Sequence, residues 1–399
     1  MDEIEFSYMG RGEGPDRQLG EFFDSLQANQ LLQVRTQIMD WGRGRSELVK
    51  TALYHHGPDV SEVGTTWISD LIAMNALQPF SQAEIDQIGG ANAFVPAAWK
   101  STHIAGSPEV WSIPWLVESP VISYRKDALQ AAGIDEKTAF STLDSLYETV
   151  SRLRRAGHVL PIALPPPSAR QLILHISSTW VWQAGGDFLS EDGTGVQFVE
   201  RPALEGIKSF FRLARLISPD GIQMLEAQSV NGCFRQGRTP VAIGNIWLHP
   251  RGGEAPAFNP QYWGIAQLPG PAFVGGSNLI MWKHTRQERS ALQLIRMLTA
   301  EEQARRYSEV SWMLPARASA FFDPKYQQDE YIRTASQSLL TGRTFPNLPL
   351  WGLVEDRLVA ALFSVWETLI KNPTATVDDT VNQTLNRLAK TLNLTLSQR

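Results

Sequence analysis

Ile4-Glu5-Phe6-Ser7-Tyr8 alternates apolar with polar residues and then breaks at Gly10-Arg11-Gly12-Glu13-Gly14-Pro15. Alternation with a period of two marks a strand, and the glycines and proline end it. Leu19, Phe22, Phe23 and Leu26 follow at helical spacing within residues 16–29. Leu32, Val34, Thr36 and Ile38 alternate as a second strand. A helix over Ser46–His56 carries Leu48, Val49, Ala52 and Leu53 on one face, and Gly57-Pro58-Asp59 punctuates it. Val60 to Val63 reads as a third, short strand. Thr66 to Ala76 is helical again and stops before Pro79, with Thr66 a reasonable N-cap. The order β-α-β-α-β-α implies a mostly parallel sheet with helices on both faces, an α/β fold.

Working outward, Val110–Trp115 and Val121–Arg125 read as strands joined through Leu116-Val117-Glu118-Ser119-Pro120. A helix over Lys126–Ala132 ends at Gly133. Ser141-Thr142-Leu143-Asp144 resembles a capping box ahead of an apolar face of Leu143, Leu146, Tyr147, Val150 and Leu153. Leu160–Leu164 reads as a strand stopped by prolines, residues 169–184 as a helix, and Thr239–Gly244, Trp263–Gln267 and Asn278–Trp282 as strands. A second β/α set therefore begins near residue 120, and the last hundred residues are helical. No repeat and no low-complexity linker separates the sets, which points to two lobes joined by several chain crossings.

Composition narrows the function. The 399 residues carry 36 basic and 41 acidic side chains, a net charge of −5, which argues against a nucleic-acid partner. The single cysteine, Cys233, excludes an internal disulfide and a multi-cysteine metal site. The longest apolar stretch, Leu358–Trp366, is far shorter than the ~20 residues of a membrane helix. The start, Met1-Asp2-Glu3-Ile4-Glu5-Phe6, has neither the basic nor the apolar segment of a secretory signal. It fits a cytoplasmic chain, or one from which a signal or lipid anchor has been removed.

Motifs for chemistry are mostly missing. Gly10-x-Gly12-x-Gly14-Pro15 sits where a dinucleotide loop would, but Pro15 departs from that fingerprint. It reads as a tight turn or as backbone approaching a ligand. His55-His56 are adjacent, so one helix face cannot offer both to a metal, and they read as a helix end. Glu62, Asp70, Glu118 and Asp187 are the carboxylates available for acid–base work on a glycosidic bond. Thirteen tryptophans stand out. Trp67, Trp115, Trp247, Trp312 and Trp351 fall at strand ends or in turns, with Trp182 close to Gly185. Trp99, Trp282 and Trp366 read as core. Ligands of open α/β sheets bind beyond the carboxyl ends of strands. Aromatic rings there suit a ligand with apolar faces and polar edges, as a sugar has.

Several stretches together resemble the family 1 extracellular solute-binding proteins, the maltose-binding-protein-like receptors of ABC importers. His56-Gly57-Pro58-Asp59-Val60-Ser61-Glu62-Val63-Gly64-Thr65-Thr66-Trp67, with Ala76-Leu77-Gln78-Pro79-Phe80, resembles the first-lobe strand and helix. Ile113-Pro114-Trp115 through Glu118 to Ser123-Tyr124-Arg125-Lys126-Asp127-Ala128-Leu129 resembles the crossover. Trp182-Gln183-Ala184-Gly185-Gly186-Asp187 resembles the second-lobe helix end, and Phe234-Arg235-Gln236-Gly237-Arg238 with Val241-Ala242-Ile243-Gly244 and Trp247 the next turn and strand. Leu268-Pro269-Gly270-Pro271, Gly275-Gly276-Ser277-Asn278 and Leu314-Pro315-Ala316-Arg317 resemble the return and the following turn.

The resemblance implies a periplasmic-binding-protein type II fold, two α/β lobes around a cleft. The first lobe would be residues 1–117 with 276–322, the second 121–271 with 327–399, and the hinges would lie near 118–120 and 272–275. It implies a carbohydrate bound between the lobes, delivery to a membrane permease, no cofactor, no metal and no catalysis. It also implies a place in the periplasm or at the cell surface, while the acidic balance and the lack of an obvious exposed apolar stripe favour a monomer. By position, Trp247 and Trp351 correspond to stacking aromatics and Glu118 to a carboxylate at the hinge. Thr65, Thr66 and Trp67 fall on the first-lobe loop, Arg11 and Gly12 on the loop after the first strand, His175 and Ser177 on the second-lobe contact segment, and Gly276 on the return. Val63 stands where maltose-binding protein stacks a tryptophan, and Trp67 where it has an arginine, so the binding mode differs. Three other readings stay open: the same fold holding a polyamine, peptide or metal chelate; a glycosidase using Glu118 or Glu62; and a sensor that signals to a partner protein.

Overall fold

The structure, a computed structural model, describes residues 2–165, 169–245 and 260–397. Its chain divides into two compact units. Unit 1 comprises Met1–Glu118, Val274–Asp329 and Thr344–Gly352, and unit 2 the segments Ser119–Phe273, Glu330–Arg343 and Leu353–Arg399. The chain thus re-enters unit 1 once more, at 344–352, within the stretch that the resemblance gives wholly to the second lobe.

Unit 1 opens with β1 (Glu3–Met9), α1 (Glu13–Ala28), β2 (Gln33–Met39), α2 (Trp41–Tyr54), β3 (Val60–Gly64), α3 (Ile68–Ala73), α4 (Gln82–Gln87), α5 (Pro96–Lys100) and β4 (Ile113–Glu118). Unit 2 follows with β5 (Val121–Arg125), α6 (Lys126–Ala131), α7 (Leu143–Arg155), α8 (Arg170–Gln183), α9 (Arg201–Ala214), α10 (Pro219–Arg235), β6 (Val241–Gly244) and β7 (Trp263–Gln267). Back in unit 1 come β8 (Gly275–Met281), α11 (Glu288–Leu298), α12 (Glu301–Ser311), β9 (Leu314–Pro315) and α13 (Pro324–Gln328). Then α14 (Glu330–Thr341) belongs to unit 2, α15 (Trp351–Lys371) starts in unit 1 and continues in unit 2, and α16 (Val377–Leu396) closes the chain. Among the described residues no helix is long and apolar enough to cross a membrane.

The unit 1 sheet has the order β2-β1-β3-β8-β4-β9. Only β1–β2 and β1–β3 are parallel, and β8 runs antiparallel to both β3 and β4. The mostly parallel sheet expected from residues 4–76 holds for that stretch alone. The returning β8 enters in the opposite direction, and β4 and β9 continue from it. Unit 2 has a smaller sheet, β6-β5-β7, with both pairs antiparallel. Leu160–Leu164 is not a strand of that sheet. Ala163 alone bridges to Ala242, donating to Val241 and accepting from Ile243.

Helix starts follow local side-chain chemistry. The Asp40 carboxylate accepts from the backbone N–H of Gly42, so α2 begins at Trp41, ahead of Ser46. Thr66 is not a cap: α3 begins at Ile68 after Trp67, with no side-chain cap bond. The capping box before α7 sits one residue later than expected, where Thr142 and Ser145 satisfy each other's backbone N–H. At the end of α2, His55 takes a left-handed conformation, φ 51°, and stops the helix.

A core cluster of unit 1 joins Met9, Met39 and Leu48 to Val63, Ile68, Ile280 and Trp282. Unit 2 packs rings: Trp180 meets Phe210 edge-on at 5.2 Å, and Phe210 meets Phe211 at 5.3 Å. Trp282 and Trp366 are buried, as expected of core residues, while Trp99 is only half-buried.

Candidate functional site

In unit 1 the parallel strands β1, β2 and β3 end at Met9, Met39 and Gly64, and the chain beyond them forms three neighbouring loops. Arg11 sits on the first loop but turns inward. Its guanidinium pairs with Glu62, donates to the carbonyl of Met9 at 2.9 Å and reaches the Tyr307 hydroxyl at 3.3 Å. The Glu62 carboxylate also accepts from the Met9 backbone N–H at 2.7 Å. Burial works against the Arg11 charge, but the Glu62 carboxylate and the Tyr307 hydroxyl together hold the pKa above the ordinary arginine value. The same burial pushes the Tyr8 phenol up to about 12, with Asp16 adding to the rise and Arg11 opposing it. Gly12 caps α1 at φ 99°, with nothing within 4 Å of where a Cβ would lie.

The third loop holds Thr65, Thr66 and Trp67. Both threonines are buried, and the Thr65 N–H donates to the carbonyl of Gly276 at 3.2 Å. The Trp67 ring lies over Gly64, whose missing Cβ would stand 3.1 Å from Cδ2, and is half-buried. Trp41 meets the same ring edge-on, centroids 5.5 Å apart. Gly276 has a steric duty: at φ 128°, a Cβ there would meet the Leu116 carbonyl at 2.2 Å. Glu118 ends β4, opposite Gly275, and is half-buried. Trp351 is fully buried and stacks on Phe345 at 4.7 Å.

In unit 2, His175 projects from α8 and stacks on Phe273 at 4.2 Å. Its Nε2 lies 3.4 Å from an oxygen of Glu355, a buried carboxylate near the start of α15. Ser177 is buried, and its hydroxyl donates to the Leu174 carbonyl of its own helix. Trp182 is buried too; its indole N–H donates to Asp187, and the Arg343 guanidinium lies over its ring at 4.9 Å. Trp247 lies outside the described residues.

Of the four carboxylates considered for catalysis, three are each held by an arginine: Glu62 by Arg11, Asp70 by Arg45 and Asp187 by Arg343. Trp115 is not at a strand end. It lies within β4, buried, with its ring parallel to that of Tyr307 at 5.2 Å. Trp312 caps α12 in a left-handed conformation, φ 59°. Sequence reasoning missed Trp41, Glu355 and Arg343. Trp41 carried a signal, since it stands two residues past the end of the second strand. Nothing in the spacing of Glu355 or Arg343 shows what either side chain touches.

Residues 26–334 match the family model of the bacterial extracellular solute-binding proteins. The diacetylchitobiose binding protein DasA of Streptomyces coelicolor is 23% identical over 357 residues, covering 86% of this chain and 80% of that protein. Among solved structures, an ABC transporter solute binding protein from Thermotoga lettingae, bound with α-D-tagatose, superposes with a TM-score of 0.81 at 17% identity, over 99% of this chain and 100% of that one. The sugar-binding protein MalE of Xanthomonas citri gives a TM-score of 0.80 at 18% identity, over 100% and 98% of the two chains. Maltose-bound MalE3 of T. maritima gives 0.80 at 20% identity, over 98% and 100%. At these identities the structures establish a shared fold.

Proposed function

The chain belongs to the bacterial extracellular solute-binding proteins, and from that premise we propose that it captures a carbohydrate outside the cytoplasm and delivers it to the permease of an ABC importer. The premise makes it a binder, and no bond of the ligand is broken. The relative from S. coelicolor is named for a disaccharide, and proteins of the same fold hold tagatose and maltose. The observation that carries the sugar reading is Trp67, a half-buried ring at the carboxyl end of β3 beside two threonines. An indole face takes the C–H face of a sugar, and neighbouring polar groups fix its hydroxyls. A donor or acceptor left unpaired in such a site costs ~1–3 kcal/mol, which is the source of specificity. The protein acts as a monomer in the periplasm or at the cell surface.

Tryptophan fluorescence titration and native mass spectrometry against mono- and oligosaccharides test this. A saturable response with the sugar recovered intact is expected, and Trp67→Ala should weaken it about tenfold. A response to polyamines or peptides but to no saccharide would replace the ligand class. A change in the sugar's mass would make the protein an enzyme.

A further inference from the structure

Of the twelve tryptophans among the described residues, Trp41 alone is exposed, at 39%. It is the first residue of α2, two residues past the carboxyl end of β2. A large ring left in water costs hydrophobic free energy that burial would recover. The backbone that carries the ring is set by local contacts. The Asp40 side chain caps the helix that begins with Trp41. One turn on, Gly44 packs so closely that a Cβ would lie 2.6 Å from the Met9 methyl and 3.8 Å from the Trp67 ring. Trp67 itself rests on Gly64. Trp67 is thus packed on glycines, the start of α2 is set by its cap, and the two rings meet with their planes at 63°.

Strand order gives the pair a direction. β2 is the edge of the sheet and β3 lies beyond β1, so Trp41 stands at the outer end of the loop row and Trp67 further in. Exposure follows the same order, half-buried at Trp67 and exposed at Trp41. A single flat sugar ring can lie on only one of two faces set at this angle. Two linked rings can use both, one on each face.

Resting on the carbohydrate reading above, we propose that Trp41 is a stacking platform for a second sugar unit, so that the ligand is a saccharide of at least two linked rings. Trp41 sets the preference for chain length, while Trp67 serves the inner ring.

Wild type, Trp41→Ala and Trp41→Tyr are titrated with N-acetylglucosamine and its β-1,4-linked dimer and trimer, and with glucose, maltose and maltotriose. For the series that binds, Trp41→Ala should lose about tenfold in affinity for the dimer and trimer while the monosaccharide is unchanged, and Trp41→Tyr should restore most of the loss. Trp41 also packs edge-on against Trp67, so the melting temperature of each variant is measured beside the titrations, and an unchanged monosaccharide affinity separates lost stacking from lost folding. Three results would overturn the proposal alone: equal losses for monomer and dimer, an unchanged dimer affinity in Trp41→Ala, or a wild type that binds monosaccharides only. A wild type that binds none of the sugars would overturn the carbohydrate reading itself and this proposal with it.

Discussion

In unit 1 an arginine and a glutamate face each other inside the fold, whereas in unit 2 a pair of the same chemistry lies near the surface. Arg11 and Glu62 have side-chain exposures of 7% and 0%, against 44% and 33% for Arg343 and Asp187. Both arginines also approach aromatic rings, Arg11 those of Trp115 and Tyr307, and Arg343 that of Trp182. What differs is access to water. In water a separated charge is solvated at little cost, but in a core it is not. The buried pair therefore acts as a constraint on how the loop after β1 meets β3. The surface pair only biases where one side chain rests.

The sharpest way to break this contrast is to remove one buried partner. Glu62→Gln leaves the Arg11 guanidinium inside unit 1 without a counter-charge. We expect a loss of about 3–5 kcal/mol in urea unfolding followed by circular dichroism. Replacing both, as Arg11→Met with Glu62→Leu, should recover part of it, because no charge is then left unpaired, while the Met9 N–H that donated to Glu62 loses its partner. A loss below about 1 kcal/mol for Glu62→Gln would place the pair with surface bridges and remove the distinction.

A second contrast concerns glycines within helices. Propensity alone says that Gly→Ala in a helix gains about 0.5–1 kcal/mol. Gly20 of α1, in unit 1, has nothing within 4 Å of the Cβ position, so Gly20→Ala should show that gain. Gly206 of α9, in unit 2, faces α8 so closely that a Cβ would lie 2.5 Å from the Trp180 carbonyl oxygen. Gly206→Ala should therefore cost about 1–3 kcal/mol, since backbone cannot give way as a side-chain tip can. If both variants moved in the same direction, the close approach of α8 and α9 would not be a constraint on stability.

The fold was legible where short-range pattern controls it. The alternation in residues 4–8 and the helical spacing of Leu19, Phe22, Phe23 and Leu26 match β1 and α1. The direction of β8 was not legible, because Asn278–Trp282 reads as a strand whichever way it pairs. Arg11 and Glu62 are 51 residues apart, and no spacing rule joins them. Trp41 was hidden for a local reason. The apolar face of α2 starts at Leu48, whereas the Asp40 cap starts the helix at Trp41, in a turn that buries little and so leaves no periodic signal. Ser177 shows the reverse: its place on the contact segment came from resemblance, while its hydroxyl is spent on the helix carbonyl of Leu174.

The smallest expected effect sharpens the first comparison. Arg343→Ala removes the 2.6 Å contact to Asp187 and the guanidinium over Trp182, but keeps the backbone bond from residue 343 to the Ala272 carbonyl. A partly exposed ion pair contributes about 0.2–1 kcal/mol, and an exposed cation over a ring adds about 0.5–1 kcal/mol. We expect a loss of about 1 kcal/mol in low salt. At 1 M salt the Debye length falls to about 3 Å, so much of the ion-pair share should vanish while the packing over Trp182 persists. The loss caused by Glu62→Gln should hold across the same salt range, because mobile ions do not enter the core that holds Arg11. Salt thus separates the two pairs even where their distances and partner types look alike. A salt-independent loss at Arg343 would mean that its contact with the Trp182 ring, and not its charge, holds the segment before Thr344 in place.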